Sequence, residues 1–293
     1  RYAALAESRR DTRIARRAVE VAMTCLHLPA AWRSASRWAA LDPENVEALR
    51  AAGLVALELY RLDDARRIFG DLLGKPDVEA DRALAELLPL VSEGDDANAA
   101  WRTFGAVVAR DAVSDETRIA LAELAVAADH FKDAGELARA VIAREPGNAA
   151  AHRLMALLGA ANGDDAAALE SARRAVEADP EEQRFTRVET LVELGRLEEA
   201  HAELERLQQD EDARSEAQRR LAMLAMASGD LDEAQRRFGE RLQRGEGSAE
   251  AFFYLAVLAE RRGDKELALQ SYSRLVEAGA GLLPRMRAAM LMI

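Results

Sequence analysis

Alanines and apolar residues recur along the chain with a period of about 34 residues. Successive alanines of this series are 32 to 35 residues apart, and five of them are followed after four residues by a bulky or apolar residue on the same helical face. A unit of this length holds two short amphipathic helices and two turns, so the pattern predicts a series of helical hairpins. The marking alanines are Ala31, Ala65, Ala100, Ala134, Ala168, Ala200, Ala234 and Ala268.

Turn residues stand at fixed distances from these alanines. A glycine five residues upstream can adopt the left-handed conformation that ends the first helix, and the aspartate after it is suited to start the second. Tyr60 and Asp129 replace that glycine in two repeats, and Gly94 lies six residues before Ala100. The glycines at the expected distance are Gly163, Gly195, Gly229 and Gly263, and the prolines that end second helices are Pro43, Pro146 and Pro180.

A small residue, an alanine, an aromatic residue and a proline at these offsets resemble the tetratricopeptide repeat over roughly residues 12–280. The alanine must be small because the two helices of a hairpin cross there. The resemblance implies an all-α fold, an α-solenoid of about eight tetratricopeptide hairpins that form a right-handed superhelix. We expect one array over residues 1–293, with partial helices at 1–11 and 281–293 and hairpins that start near Thr12, Val46, Asp81, Asp115, Ala149, Glu181, Ser215 and Ala249.

Composition narrows the classes of partner. Aromatic residues are 5% of the chain, which suits closely packed helices, and the formal net charge of -12 repels phosphate backbones, so nucleic acid is not an expected partner. Only three of the 40 basic residues are lysines, which is typical of GC-rich bacterial genomes. Because the chain opens with Arg1 and closes in the apolar stretch 290–293, we expect a fragment of a longer protein.

No catalytic, cofactor or metal site is expected from the sequence. The four histidines, His27, His130, His152 and His201, lack partners at zinc-ligand spacing. The single cysteine, Cys25, excludes an internal disulfide and is expected to pack as a small apolar residue. The short loop 279–281 lacks the rest of any phosphate-binding motif, and no serine stands in a nucleophile elbow. These observations favour a binding scaffold over an enzyme.

The expected binding surface is a groove along the first helices. In tetratricopeptide arrays the second, fifth, ninth and twelfth positions of the first helix face inward, which here gives apolar spots bordered by acidic residues. Two other interpretations stay open: glutamate is favoured near helix N-termini in any case, and Phe185, Phe253 and Met223 could pack between hairpins. The groove residues are Glu47, Arg50, Leu54, Glu116, Ile119, Glu123, Arg153, Phe185, Glu189, Arg219, Met223, Met226, Phe253 and Val257.

The residue types at the inward positions disfavour one kind of tetratricopeptide partner. Arrays that clamp the terminal carboxylate of chaperones use lysine and asparagine at the inward positions, whereas this chain has glutamate, leucine and methionine, so a clamp is disfavoured.

Residues 11–20 (DTRIARRAVE), with Trp38 and the Leu41-Asp42-Pro43 stretch, resemble the N-terminal half of bacterial outer-membrane tetratricopeptide lipoproteins.

That resemblance implies a periplasmic adaptor that binds a carboxyl-terminal processing protease and delivers substrates to it, often cell-wall hydrolases. It also implies the periplasmic face of the outer membrane, reached through a lipid anchor outside this sequence, with the cytoplasm as the alternative. Two other hypotheses remain: the regulatory tetratricopeptide arm of a larger enzyme such as a transferase, and a cytosolic assembly factor.

Overall fold

The computed structural model describes residue 6 and residues 9–92, 96–108, 113–279 and 281–292. The described residues contain seventeen helices and no strand, so the predicted all-α fold is confirmed. The chain divides into two compact units, Arg1–Arg184 and Phe185–Ile293, called unit 1 and unit 2 below. The grouping of all hairpins into one continuous array stays a prediction.

Unit 1 contains ten helices within the described residues. Odd-numbered helices are the first helices of successive pairs, and even-numbered helices are the second. Their bounds are α1 Thr12–Thr24, α2 Leu28–Leu41, α3 Val46–Glu58, α4 Leu62–Leu73, α5 Ala80–Ser92, α6 Ala97–Val107, α7 Asp115–Ala127, α8 Phe131–Arg144, α9 Ala149–Ala161 and α10 Asp165–Ala178.

Unit 2 contains three helix pairs and one further helix. The last helix, α17, packs on the second helix of the preceding pair, as a first helix does elsewhere in the chain. The bounds are α11 Thr186–Glu193, α12 Leu197–Leu207, α13 Arg214–Ser228, α14 Leu231–Gln243, α15 Ser248–Arg261, α16 Lys265–Glu277 and α17 Leu282–Leu291.

The eight marking alanines lie where second helices cross their neighbours. All eight are fully buried, with no exposed surface. The approach is closest around two glycines: a Cβ on Gly159 would lie 2.9 Å from the backbone nitrogen of Ala168, and a Cβ on Gly53 would lie 2.7 Å from the ring of Phe69. The aromatic residues four positions after the alanines are buried as well, including Phe104, Phe238 and Tyr272. The inferred need for a small residue at the crossing is therefore confirmed.

The turns inside the helix pairs share one backbone conformation. The glycines at 163, 195, 229 and 263 have φ between 70° and 85°, which confirms their predicted left-handed conformation. Leu26, Tyr60 and Asp129 occupy the same turn position with φ of 52°, 57° and 61°, although side chains disfavour this region. The fold therefore imposes the left-handed turn even where the sequence lacks glycine.

The third helix pair departs from this arrangement. Helices α5 and α6 make few contacts with each other, and α5 does not pack closely on α4. Instead α6 packs against α4, with the rings of Phe69 and Phe104 4.8 Å apart, and α5 packs against α7. Five other first helices carry glycine or alanine twelve residues before the marking alanine, whereas Leu87 and Leu88 lie thirteen and twelve residues before Ala100. Both leucines are buried at 1% exposure, so α5 has a large side chain where five other first helices have a small one.

Helix α5 is fastened to α7 by Asp81. Its Oδ1 accepts hydrogen bonds from the backbone N–H of Ser114 at 2.9 Å and from the hydroxyl of Thr117 at 2.8 Å. The hydrogen bond from the Ser114 backbone is the main cause that lowers the pKa of Asp81. Asp81 thus links α5 to Ser114, the N-cap residue of α7, and to the first turn of that helix.

Cys25 lies in a different environment from the one predicted. Cys25 is exposed at the C-terminal end of α1, so its predicted burial is wrong; the helix ends there, and the apolar face of α1 is built by Ala15, Ala18 and Val19 instead. Most of the predicted partial helix at 1–11 lies outside the described residues, as do Gly94, Ala280 and Ile293.

Candidate protein-binding surface

The fourteen predicted groove residues all lie at the surface of first helices. Thirteen of them are within α3, α7, α9, α11, α13 or α15, and Phe185 is the N-cap residue of α11. Each is exposed or half-buried, whereas other residues of the same helices are buried in the core.

In unit 1 the charged members of this surface pair between helices. The pairs connect first helices that follow one another along the chain, and they are Arg16 with Glu47 at 3.6 Å, Arg50 with Glu86 at 2.8 Å, and Arg153 with Glu123. Glu116 is exposed and has no ion pair with a described residue. Leu54 and Ile119 pack partly against the core of the unit, so they contribute more to packing than to an open groove.

In unit 2 a network of ion pairs joins α11, α13 and α15. Glu216 on α13 accepts from Nε of both Arg219 and Arg220 at 2.7 Å. Arg219 extends to Glu250 on α15 at 3.1 Å, and Arg220 extends to Glu189 on α11 at 2.9 Å. We call these five side chains the arginine–glutamate network. Each arginine thus connects its own helix to a neighbouring first helix.

The network shifts the titration of its central carboxyl group. Hydrogen bonds from Arg219, and then from Arg220, lower the pKa of Glu216 from 4.5 to about 2, against the opposing effect of burial. The hydrogen bond that Arg219 donates to Glu216 raises the pKa of Arg219 in turn. Glu216 therefore stays ionised over the whole physiological range, and both arginines remain held in place.

Apolar side chains lie beside this network in unit 2. The guanidinium of Arg219 lies 3.3 Å from Sδ of Met223, and that of Arg220 lies 4.5 Å above the ring of Phe185. Phe253 packs edge-on against Tyr254 and Tyr272, with ring centroids 5.5 Å and 6.2 Å apart. These three apolar side chains are half-buried, so each keeps some exposed surface beside its contacts.

Met226 and Val257 continue the open apolar surface along α13 and α15. Both are half-buried, and Met226 packs against the same cluster as Phe238. Together with Met223, Phe253 and Phe185 they form what we call the unit 2 apolar face. Phe185, Met223 and Phe253 thus make packing contacts and also keep some exposed surface, and their role in binding stays a prediction.

Five residues of the ion pairs are not among the fourteen predicted groove residues: Arg16, Glu86, Glu216, Arg220 and Glu250. Arg220 lies directly after a groove position and four residues after Glu216, a spacing at which helical side chains meet. That spacing was the available signal. Arg16 and Glu86 carry no comparable local signal, because their partners are 31 and 36 residues away in the sequence.

The described residues contain neither a metal-binding group nor a membrane-spanning helix. No group of three or more histidine, cysteine, aspartate or glutamate side chains is arranged to hold a metal ion. Among the same residues, no helix has the length and apolar character needed to cross a membrane.

Paired helices with buried alanines, with a left-handed turn inside seven of the pairs, define a helical-hairpin repeat protein. The model of the tetratricopeptide repeat family matches residues 119–182, 185–234 and 219–282. The chain belongs to the tetratricopeptide repeat family. Proteins of this family are generally non-catalytic scaffolds for protein–protein interaction. No curated protein matches the sequence.

One solved structure shares the fold, and two others match with lower structural similarity. A tetratricopeptide repeat protein from Parabacteroides merdae is 12% identical, covers 96% of this chain and 99% of its own, and has a TM-score of 0.51. The pilF protein of Pseudomonas aeruginosa is 22% identical over 63% of this chain and 86% of its own, with a TM-score of 0.45. A tetratricopeptide protein of Thermus thermophilus is 17% identical over 74% of this chain and 100% of its own, with a TM-score of 0.37.

Proposed function

We propose that this protein is an adaptor that binds a partner protein on the unit 2 apolar face. The observation that carries the proposal is the arginine–glutamate network, in which the arginines and glutamates of α11, α13 and α15 bind one another. Because those charges are satisfied within the chain, the apolar side chains beside them are the groups left to contact a partner.

The chemistry of this face suits a peptide or helix with apolar anchor residues. Methionine is flexible and polarisable, so Met223 and Met226 can adapt to side chains of different shape. Phe185 and Phe253 are held by neighbouring groups on one side, which limits the entropy lost when a partner orders the other side.

The partner that we propose is a carboxyl-terminal processing protease of the bacterial envelope, with cell-wall hydrolases as delivered substrates. Support comes from the resemblance of residues 11–43 to outer-membrane tetratricopeptide lipoproteins. An adaptor that holds protease and substrate together raises their effective concentration without any catalytic group of its own.

A capture experiment with two double variants tests the binding face. The binding variant carries Met226→Ser and Val257→Ser, and the matched control carries Leu231→Ser and Leu267→Ser on second helices of the same unit. Circular dichroism establishes that both variants fold. We expect the wild type and the control to retain the partner from bacterial envelope extract, and the binding variant to lose it.

Mass spectrometry and a cleavage assay then test the finer proposal. We expect a processing protease among the captured proteins, and the purified protease to cleave its hydrolase substrate about tenfold faster with wild type than with the binding variant. Capture of cytosolic proteins alone would refute the envelope adaptor and favour an assembly factor. Capture of an enzyme whose activity the array alters would favour the regulatory arm.

A further inference from the structure

The separation of α5 from α4 leaves a cavity on the first-helix side of unit 1. It has a volume of about 440 Å³ and lies between the start of α3, the end of α4, the connection to α5, and α5 itself. Its size is within the usual range of ligand-binding clefts. We call it the α3–α5 cleft.

The floor of the cleft is apolar. Leu72 and Leu87 are fully buried beneath it, Val78 is half-buried, and Val46 is 42% exposed at its edge. Ala83 on α5 is half-buried and contributes only a methyl group, which leaves room for a side chain the size of leucine. A partner side chain placed here would cover apolar surface that the open third pair leaves accessible.

The rim of the cleft is acidic in excess. Three carboxylates, Asp77, Glu79 and Glu86, face two arginines, Arg50 and Arg82. Both arginines are engaged by Glu86, at 2.8 Å and 3.7 Å. Asp77 and Glu79 are exposed and make no ion pair with a described residue, so the rim has two carboxylates free for a cationic partner.

We propose that the α3–α5 cleft binds a basic, apolar peptide segment of a partner protein. An apolar side chain enters over Val46 and Ala83, and an adjacent arginine or lysine pairs with Asp77 and Glu79. Charge complementarity selects this partner: an acidic segment would meet the two unpaired carboxylates, while the arginines are already occupied by Glu86. The site is independent of the unit 2 apolar face.

A pair of synthetic peptides tests the proposal by fluorescence anisotropy. The probe is a labelled, end-capped Gly-Leu-Arg-Leu-Arg-Gly peptide, and its twin has glutamates in place of the arginines. We expect the basic peptide to bind at least about tenfold more tightly than the acidic one, and its affinity to fall as salt is added.

Substitutions in α5 and in the rim test whether the peptide binds in the cleft. We expect Ala83→Phe, which fills the cleft, to weaken binding about tenfold, while Ala85→Phe on the exposed side of the same helix leaves it unchanged. The double variant Asp77→Asn and Glu79→Gln should weaken binding of the basic peptide about fivefold. It should also reduce the difference in affinity between the basic and the acidic peptide. Thermal unfolding monitors the fold of each variant.

Three outcomes would overturn the proposal: no binding of the basic peptide, equal binding of the twins, or equal loss in Ala83→Phe and Ala85→Phe. The Met226→Ser and Val257→Ser double variant should bind the basic peptide as wild type does. Loss of the envelope partner by this double variant tests only the unit 2 apolar face. Either proposal can therefore be refuted while the other stands.

Discussion

The hairpins of unit 2 and the third helix pair of unit 1 are built from the same repeat but pack differently. In the α13–α14 pair, Ala222 and Ala234 are both fully buried, and the helices lie close together. In the third pair, Ala100 is equally buried, yet Leu87 and Leu88 occupy the stretch of α5 that should approach it. The alanine of the second helix is therefore not sufficient by itself for close packing of a pair.

The largest effect is expected for Leu88→Ala. The leucine is buried at 1% exposure, so its removal leaves a cavity and should lower the free energy of unfolding by about 2–5 kcal/mol. Urea denaturation measures this loss. A stabilised variant would mean that α5 and α6 close up once the leucine is removed, and that the cavity does not persist.

The reciprocal change, Ala222→Leu, should cost about 1–3 kcal/mol because it overpacks a close crossing. Ala227→Leu, on an exposed position of the same helix, is the matched control and should be near neutral. Equal stability of the two variants in urea would contradict the crossing as the cause of the different packing.

Tyr60→Gly should raise the free energy of unfolding by about 0.5–1 kcal/mol. The tyrosine is 64% exposed and sits at φ of 57°, so glycine relieves backbone strain while little packing is lost. Gly163→Ala places a side chain at φ of 71° and should shift stability the other way. If both changes destabilise the protein in thermal unfolding, Tyr60 has a packing role beyond the turn.

The smallest effect concerns the arginine–glutamate network. Because the pKa of Glu216 falls from 4.5 to about 2 on folding, its contribution to stability is complete above about pH 4.5 and is lost as the pH falls towards 2. The partly exposed pairs make this contribution at most about 1 kcal/mol. Carboxyl-carbon NMR should place the titration midpoint of Glu216 near pH 2, and Arg219→Ala should raise that midpoint. An unchanged midpoint in the variant would exclude Arg219 as the main cause of the lowered pKa.

The sequence carries most of the fold because the repeat is local. Each marking alanine, turn glycine and capping aspartate acts within one pair of helices, so the period alone predicts the all-α repeat fold and the buried positions. The third pair could not be anticipated in the same way. Gly94 showed an irregular spacing, but the rearrangement depends on how Leu87 and Leu88 pack against helices elsewhere in unit 1.

The surface is less predictable than the core for a related reason. Helical position alone brings Met223 or Phe253 to the first-helix surface, but it does not say which charges neutralise each other. Arg219 and Glu250 are 31 residues apart, and the pairing depends on the offset between adjacent hairpins. The binding role of all fourteen groove residues stays a prediction.

The arginine–glutamate network also has a mechanical consequence for unit 2. Its ion pairs are partly exposed and contribute little individually, whereas the crossings at Ala234 and Ala268 have no exposed surface at all. Stretching the face therefore breaks weak, re-formable links before it disturbs the packed crossings. We expect unit 2 to be more compliant along its first helices than through its helix pairs.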